Sequence, residues 1–208
     1  MNGLGSLLEN LYRQFILRDL LAKIMPGFIV IGSTASLLSF SIRRLVRFTT
    51  TLNFWQWLLL FAFAWVIGFF VQHAGILAGI LSDKTHQLER QNPGAIKEWF
   101  RSKVKISRGS NEEFRKVLER AIVIKETCGN TSMALLYTAG LFTVHFWWKL
   151  FASWRFFYIC RDVMIIVPSA ALVWVLLDAH HYHSRREEYL RQAFEDLLPT
   201  EAGKHEQD

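Results

Sequence analysis

From Phe54 to Leu81 the chain runs for twenty-eight residues without an Asp, Glu, Lys or Arg. A helix of that length reaches about 42 Å, more than the roughly 30 Å hydrocarbon core of a bilayer. A soluble domain of this size has no interior in which to hide such an element, so the sequence predicts an integral membrane protein. Three weaker stretches share the uncharged character: Ile24 to Ile42, Thr127 to Trp148 and Val163 to Leu177, the last close to the lower length limit for a span. The expected fold is all-α, a polytopic membrane protein with four transmembrane helices that are extended by cytoplasmic amphipathic helices into a protruding helical bundle. Composition agrees. Hydrophobic residues make up 51% of the 208, with eight Trp and seventeen Phe, more than one soluble domain would bury.

These runs divide the chain into residues 1–23, an amphipathic N-terminal helix; 24–81, a first membrane hairpin; 82–126, a basic helical region; 127–179, a second hairpin; and 180–208, a helical tail. The first apolar stretch follows Arg13, Arg18, Asp19 and Lys23 and has no small-residue cleavage site, so the N-terminus is expected to be retained.

Lys and Arg in the short flanks set orientation, because they resist translocation while acidic residues matter little. The N-terminal segment, Ser82 to Glu126 and the C-terminal tail together hold eighteen of the twenty-four. These three segments are therefore placed in the cytoplasm, and the localisation expected is a cell inner (plasma) membrane, multi-pass, with both termini cytoplasmic. Trp55, Trp57, Trp147, Trp148 and Trp154 then all fall at the outer interface, the level indole rings prefer. Arg43, Arg44 and Arg47 also fall outside, against the same rule.

Amphipathic patterns continue each span on the cytoplasmic side. Leu4, Leu7, Leu8, Leu11 and Phe15 form one stripe before the first span, and the second is expected to run on through Ser82 to Arg90, until Asn92-Pro93-Gly94 stops it. Ser110 with Glu113 matches a capping box, after which Phe114, Val117, Leu118, Ala121 and Ile122 hold one face. Tyr182, Tyr189, Leu190, Ala193, Phe194 and Leu197 mark a last stripe before Pro199 and a polar end expected to be disordered.

Small residues let helices approach closely in lipid, and Gly75 with Gly79 forms a GxxxG pair, a candidate packing seam. Pro26-Gly27 and Pro168 are expected to bend their helices where neighbours satisfy the freed carbonyls. Charges at membrane depth need partners: Asp162 is expected to pair with Arg43 or Arg44. His73 and His145 lie near opposite ends of their spans, which argues for hydrogen bonding to neighbours over an aligned proton path. Glu126, Asn130 and Thr131 open the third span with a density of polar groups that suits either a cytoplasmic vestibule or interhelical hydrogen bonds.

Asp178, His180, His181 and His183 include a pair of imidazoles at i, i+3, but no Cys is near in sequence to complete a zinc set, so no metal and no cofactor is expected. Cys128 and Cys160 belong to opposite sides and are expected to be free thiols. Lys97, Arg101, Lys103, Lys105 and Arg108, interleaved with Trp99, Phe100 and Val104, form a basic patch suited to anionic lipid or a ligand, with nucleic acid the weaker partner. Phosphate loops, nucleophile elbows and His-Glu-x-x-His runs do not occur, so a non-enzymatic role is expected. The leading expectation is a homo-oligomeric membrane effector or channel-like component that responds to a cytoplasmic protein or small signalling ligand, of the kind found in bacterial stress or antiviral defence. The alternative is a membrane-anchored scaffold that recruits a cytoplasmic enzyme.

Overall fold

A computed structural model describes residues 20–39, 42–81, 112–152 and 156–197, and these are helical apart from the turns that join them, with no strand among them. A π-helical turn, Leu20–Ile24, leads into α1 (Met25–Ser39); α2 (Ile42–Thr51), α3 (Phe54–Leu77), α4 (Glu112–Ala152) and α5 (Phe156–Leu197) follow. The N-terminal stripe, the basic patch Lys97 to Arg108, Ser110 of the capping pair and the polar end lie outside the described residues.

Two helices are long and apolar enough to cross a membrane, Phe54–Leu77 and the stretch Ile159–Ala193 of α5, while Ala22–Leu38 is apolar but shorter. The expected third span, in α4, includes Asn130, Thr131, Ser132, Thr138, Thr143 and His145, and these polar side chains dilute its apolar character. Burial distinguishes the two long helices from core helices of a soluble protein: only 11% of the apolar window in α3 and 17% of that in α5 is buried. Leu59, Phe70, Met164 and Trp174 are among the large apolar side chains left exposed.

Both ends of α3 have local causes. Asn53 accepts from the Gln56 amide N–H, and the Gln56 side chain accepts from the Asn53 N–H, each at 2.9 Å, closing a capping box. At the other end the Gly79 N–H donates to Ile76 and the Ile80 N–H to Gly75, the paired bonds of a Schellman turn, with Gly79 at φ 70°. The helix therefore stops at Leu77, and the expected continuation through Ser82 to Arg90 lies outside the described residues. A left-handed residue ends the α-helical ladder, and glycine adopts that conformation without steric cost. Between the first two apolar helices, Arg43, Arg44 and Arg47 fall on the ten-residue α2 rather than in a plain loop.

Contacts divide the chain into two compact units. The first comprises Met1–Leu81 and Glu126–His180. Within it, α1 and the π turn pack on α3 at a close backbone crossing. A Cβ at Gly27 would collide with the Ala64 backbone, and one at Gly68 with the Lys23 backbone. Ala64 and Gly68 are four residues apart on one face, so this is a small-xxx-small seam. Phe28 and Phe61 meet edge to face at 5.1 Å beside it, and the Lys23 ammonium lies 5.7 Å from the Trp65 ring. α1 is also tied to α4: Thr34 and Tyr137 hydroxyls are 3.2 Å apart, and the Asn130 amide donates to the Ala22 carbonyl at 2.6 Å. Ala22 lies four residues before Pro26, which has no N–H to offer that carbonyl. Asn130 supplies the missing donor, the compensation expected at this proline. α5 continues through Pro168.

The second unit comprises Ser82–Lys125 and His181–Asp208. Buried Leu118 is packed by Phe114, Ile122 and Leu190. The Lys125 ammonium donates to Glu187 at 2.6 Å, and Arg191 donates to the other Glu187 oxygen. The α4 stripe is largely as expected. On α5 the packed face is that of Glu187, Leu190 and Arg191, whereas Tyr182 and Tyr189 are 62% and 69% exposed. The expected stripe is rotated because the ionic pairing of Glu187 with Lys125 places that residue, and not its tyrosine neighbours, against α4.

Candidate functional site

In the first unit α4 and α5 are antiparallel, with Gly129 against His180 and His145 against Asp162. The first contact needs glycine: a Cβ at Gly129 would lie 2.7 Å from His180 Nδ1. The second places a carboxylate in the interior. The Asp162 side chain is fully buried, with His145 10% and Arg161 21% exposed. Asp162 Oδ1 accepts from Arg161 Nε at 3.0 Å and Nη2 at 2.8 Å, while Oδ2 lies 2.5 Å from His145 Nδ1. The guanidinium carbon sits 5.5 Å from the ring of buried Phe142.

Chemistry fixes the proton arrangement. A carboxylate oxygen accepts, so His145 Nδ1 carries the hydrogen and Nε2 is left with a lone pair when the ring is neutral. Nε2 is buried and has no hydrogen-bond partner among the described residues. Burying an ion costs several kcal/mol unless it is matched, and here the guanidinium matches the carboxylate. The site thus consists of a balanced ion pair and an oriented imidazole with one unused nitrogen.

Asp162 therefore has Arg161 and His145 as partners, where Arg43 or Arg44 was expected; the side chains of Arg43 and Arg44 lie outside the described ones. Sequence neighbours on a helix do not face each other, and Arg161 reaches Asp162 only by folding back around α5. His145, seven residues before the end of α4, and Asp162, six after the start of α5, were a candidate pair in the sequence, but the register that joins them does not follow from it.

The other expected sites separate. Asn130 and Thr131 are 1% and 7% exposed, and Asn130 serves as an interhelical hydrogen-bonding group. Glu126 is half-buried and engaged. Ser132, Thr138 and Thr143 return their hydroxyls to carbonyls of α4 itself, whereas buried Thr127 and Thr131 hydroxyls have no partner among the described residues. Gly75 and Gly79 do not share a helix face, because Gly79 lies in the turn beyond Leu77; a Cβ at Gly75 would meet Leu81 and Met133 of the same chain. Ala64 and Gly68, which form the close crossing with Gly27 and Lys23 instead, were legible as small residues at the same four-residue spacing.

Asp178 and His181 are exposed, His180 is buried and His183 half-buried. Among the described residues no group of three or more His, Cys, Asp or Glu is placed to hold a metal ion. Burial, and then Arg186, holds the His183 imidazole below its ordinary value of 6.5. Burial pushes the Glu187 carboxyl up, but Lys125 and Arg191 outweigh it and hold it below 4.5. Cys128 is half-buried and Cys160 exposed, both free. No family model matches the chain, and no curated protein or solved structure is similar to it.

Proposed function

We propose that the chain is a polytopic membrane protein whose four apolar segments lie in the bilayer, with a cytoplasmic helical bundle, acting as a homo-oligomeric, channel-like effector and not as an enzyme. The observation that supports the membrane reading is inverted polarity. Asp162, His145 and Asn130 are buried in the first unit while Leu59, Phe70, Met164 and Trp174 are exposed on it. Water would favour the opposite distribution and lipid favours this one. The channel-like reading is supported by the ionised cluster itself, since intramembrane ionisable residues characteristically accompany ion or proton movement.

Light scattering in mild detergent and ion flux from reconstituted liposomes test the reading together. An oligomer that releases a trapped ion is expected; a monomer that passes nothing replaces it with the scaffold reading. That second reading has its own support in Tyr182 and Tyr189 of the second unit, exposed at i, i+7 beside basic residues as a surface for a protein partner. Topology is tested by thiol labelling from outside: a cysteine placed at Asn53 should react in intact cells, and one placed at Gly109 should not.

A further inference from the structure

A fixed counter-ion pair needs two groups, and Asp162 with Arg161 already makes one, through two hydrogen bonds on Oδ1. His145 is a third. It is nine-tenths buried, Oδ2 of Asp162 sets its ring orientation, and its Nε2 has no hydrogen-bond partner among the described residues. An unsatisfied buried nitrogen is destabilising, and an apolar side chain of similar volume would fill the position without that cost. An oriented imidazole with a carboxylate on one nitrogen and a lone pair on the other is the arrangement of an acid–base group.

We propose that His145 is a proton-binding site of the membrane unit, with Nε2 as the accepting atom and Asp162 as the positioning residue. The proton comes from hydronium or water at the α4–α5 end of the unit; a bond forms between Nε2 and hydrogen, Nδ1 keeps its own hydrogen, and the donor is left as water or hydroxide. The cluster passes from net zero to net plus one. Asp162 stabilises that charge by direct contact, while Arg161 Nη2, 3.5 Å from Nδ1, opposes it and favours release. Lys149, one turn further along α4 and already engaged, is the remaining nearby cation on that helix. His145 stands seven residues before Ala152, the last residue of α4, so roughly 10 Å of helix separates it from the end of that helix. The transport consequence, that the ion handled at this site is the proton, rests on the channel-like reading; proton binding does not.

The test uses the full chain in lipid bilayers with ¹⁵N-labelled histidine. H145N retains an amide in the place of Nδ1–H and removes Nε2, so the signal it deletes belongs to His145. That signal is expected to show a neutral ring protonated at Nδ1, and to move to the imidazolium position as the pH is lowered from about 8 to about 4. D162N should release the ring from its fixed tautomer, so that Nε2-protonated neutral rings appear beside the Nδ1-protonated ones. A ring protonated only at Nε2, or no transition across that range, overturns the proposal. In liposomes holding a pH-sensitive dye, the native chain should dissipate a proton gradient and H145N should not. A transition without passage of protons or potassium leaves the proton site standing and removes the channel-like reading. Passage of potassium without a transition does the reverse.

Discussion

Asp162 and Glu187 are each held between two basic groups, yet their clusters differ in charge and in access to water. Asp162 is fully buried and its partners are one guanidinium and one imidazole, so the group of three is neutral when the ring is neutral. Glu187 is 11% exposed along its side chain and is shared by Lys125 and Arg191, so that group carries a net positive charge. Apolar surroundings cannot screen an unbalanced ion, whereas water near a helix surface can. The two clusters thus set a carboxylate between one permanent cation and one titratable ring in the first unit, and between two permanent cations in the second.

The largest effect is expected from Asp162→Ala, which removes the buried carboxylate that Arg161 and His145 share: unfolding in mild detergent should show a loss of about 3–5 kcal/mol. Replacing the three residues together by H145F, R161M and D162L should recover most of it, because an apolar cluster of similar volume needs no desolvation. If the triple replacement is as unstable as Asp162→Ala, ion matching is not what the cluster provides. Glu187→Gln should cost less, about 1–3 kcal/mol, since the amide retains one acceptor for Lys125 or Arg191. An equal loss at the two sites would mean that the two clusters do not differ energetically.

Gly79→Ala provides a control within the first unit that touches neither cluster. Placing a Cβ in the left-handed turn should cost about 1–2 kcal/mol, read by the same denaturation, with the His145 signal unchanged. The smallest effect concerns pH. A Glu187 carboxyl held below its ordinary 4.5 contributes stability that is present above that value and lost as the pH falls through the lowered one. His183, held below 6.5, has the same sign: its neutral ring suits the folded unit, and acid erodes that contribution below 6.5. Hydrogen exchange of residues 112–125 and 181–197 should therefore quicken on acidification, and Glu187→Gln should flatten the steeper acid limb. An unchanged limb in that variant would mean that another group sets it.

Much of the helical framework was legible because its causes are local. The uncharged run marked α3, proline at position 26 announced a carbonyl in need of a donor, and the α4 stripe around Leu118 followed its helical period. The capping box of Asn53 and Gln56 was not among the expectations, although its ends stand at the three-residue spacing of such boxes. Gly75 and Gly79 showed the limit of such patterns, since one spacing describes both a helix face and a helix followed by a Schellman turn. Hydrogen bonds at Gly79 and Ile80 decided between them.

The partners of Asp162 belong to a different kind of information. Hydrophobicity and helical period are properties of a residue and its near neighbours, so the chain by itself determined that it is helical and that it contains apolar segments long enough for a bilayer. Which base meets Asp162 depends on the register of α4 against α5 and on Arg161 folding back around its own helix, and neither is encoded in spacing along one element. Only the tertiary structure decided that Asp162 takes Arg161 and His145 together and leaves one His145 nitrogen unused, because long-range pairing is a choice among competing close contacts that the whole packed unit makes at once.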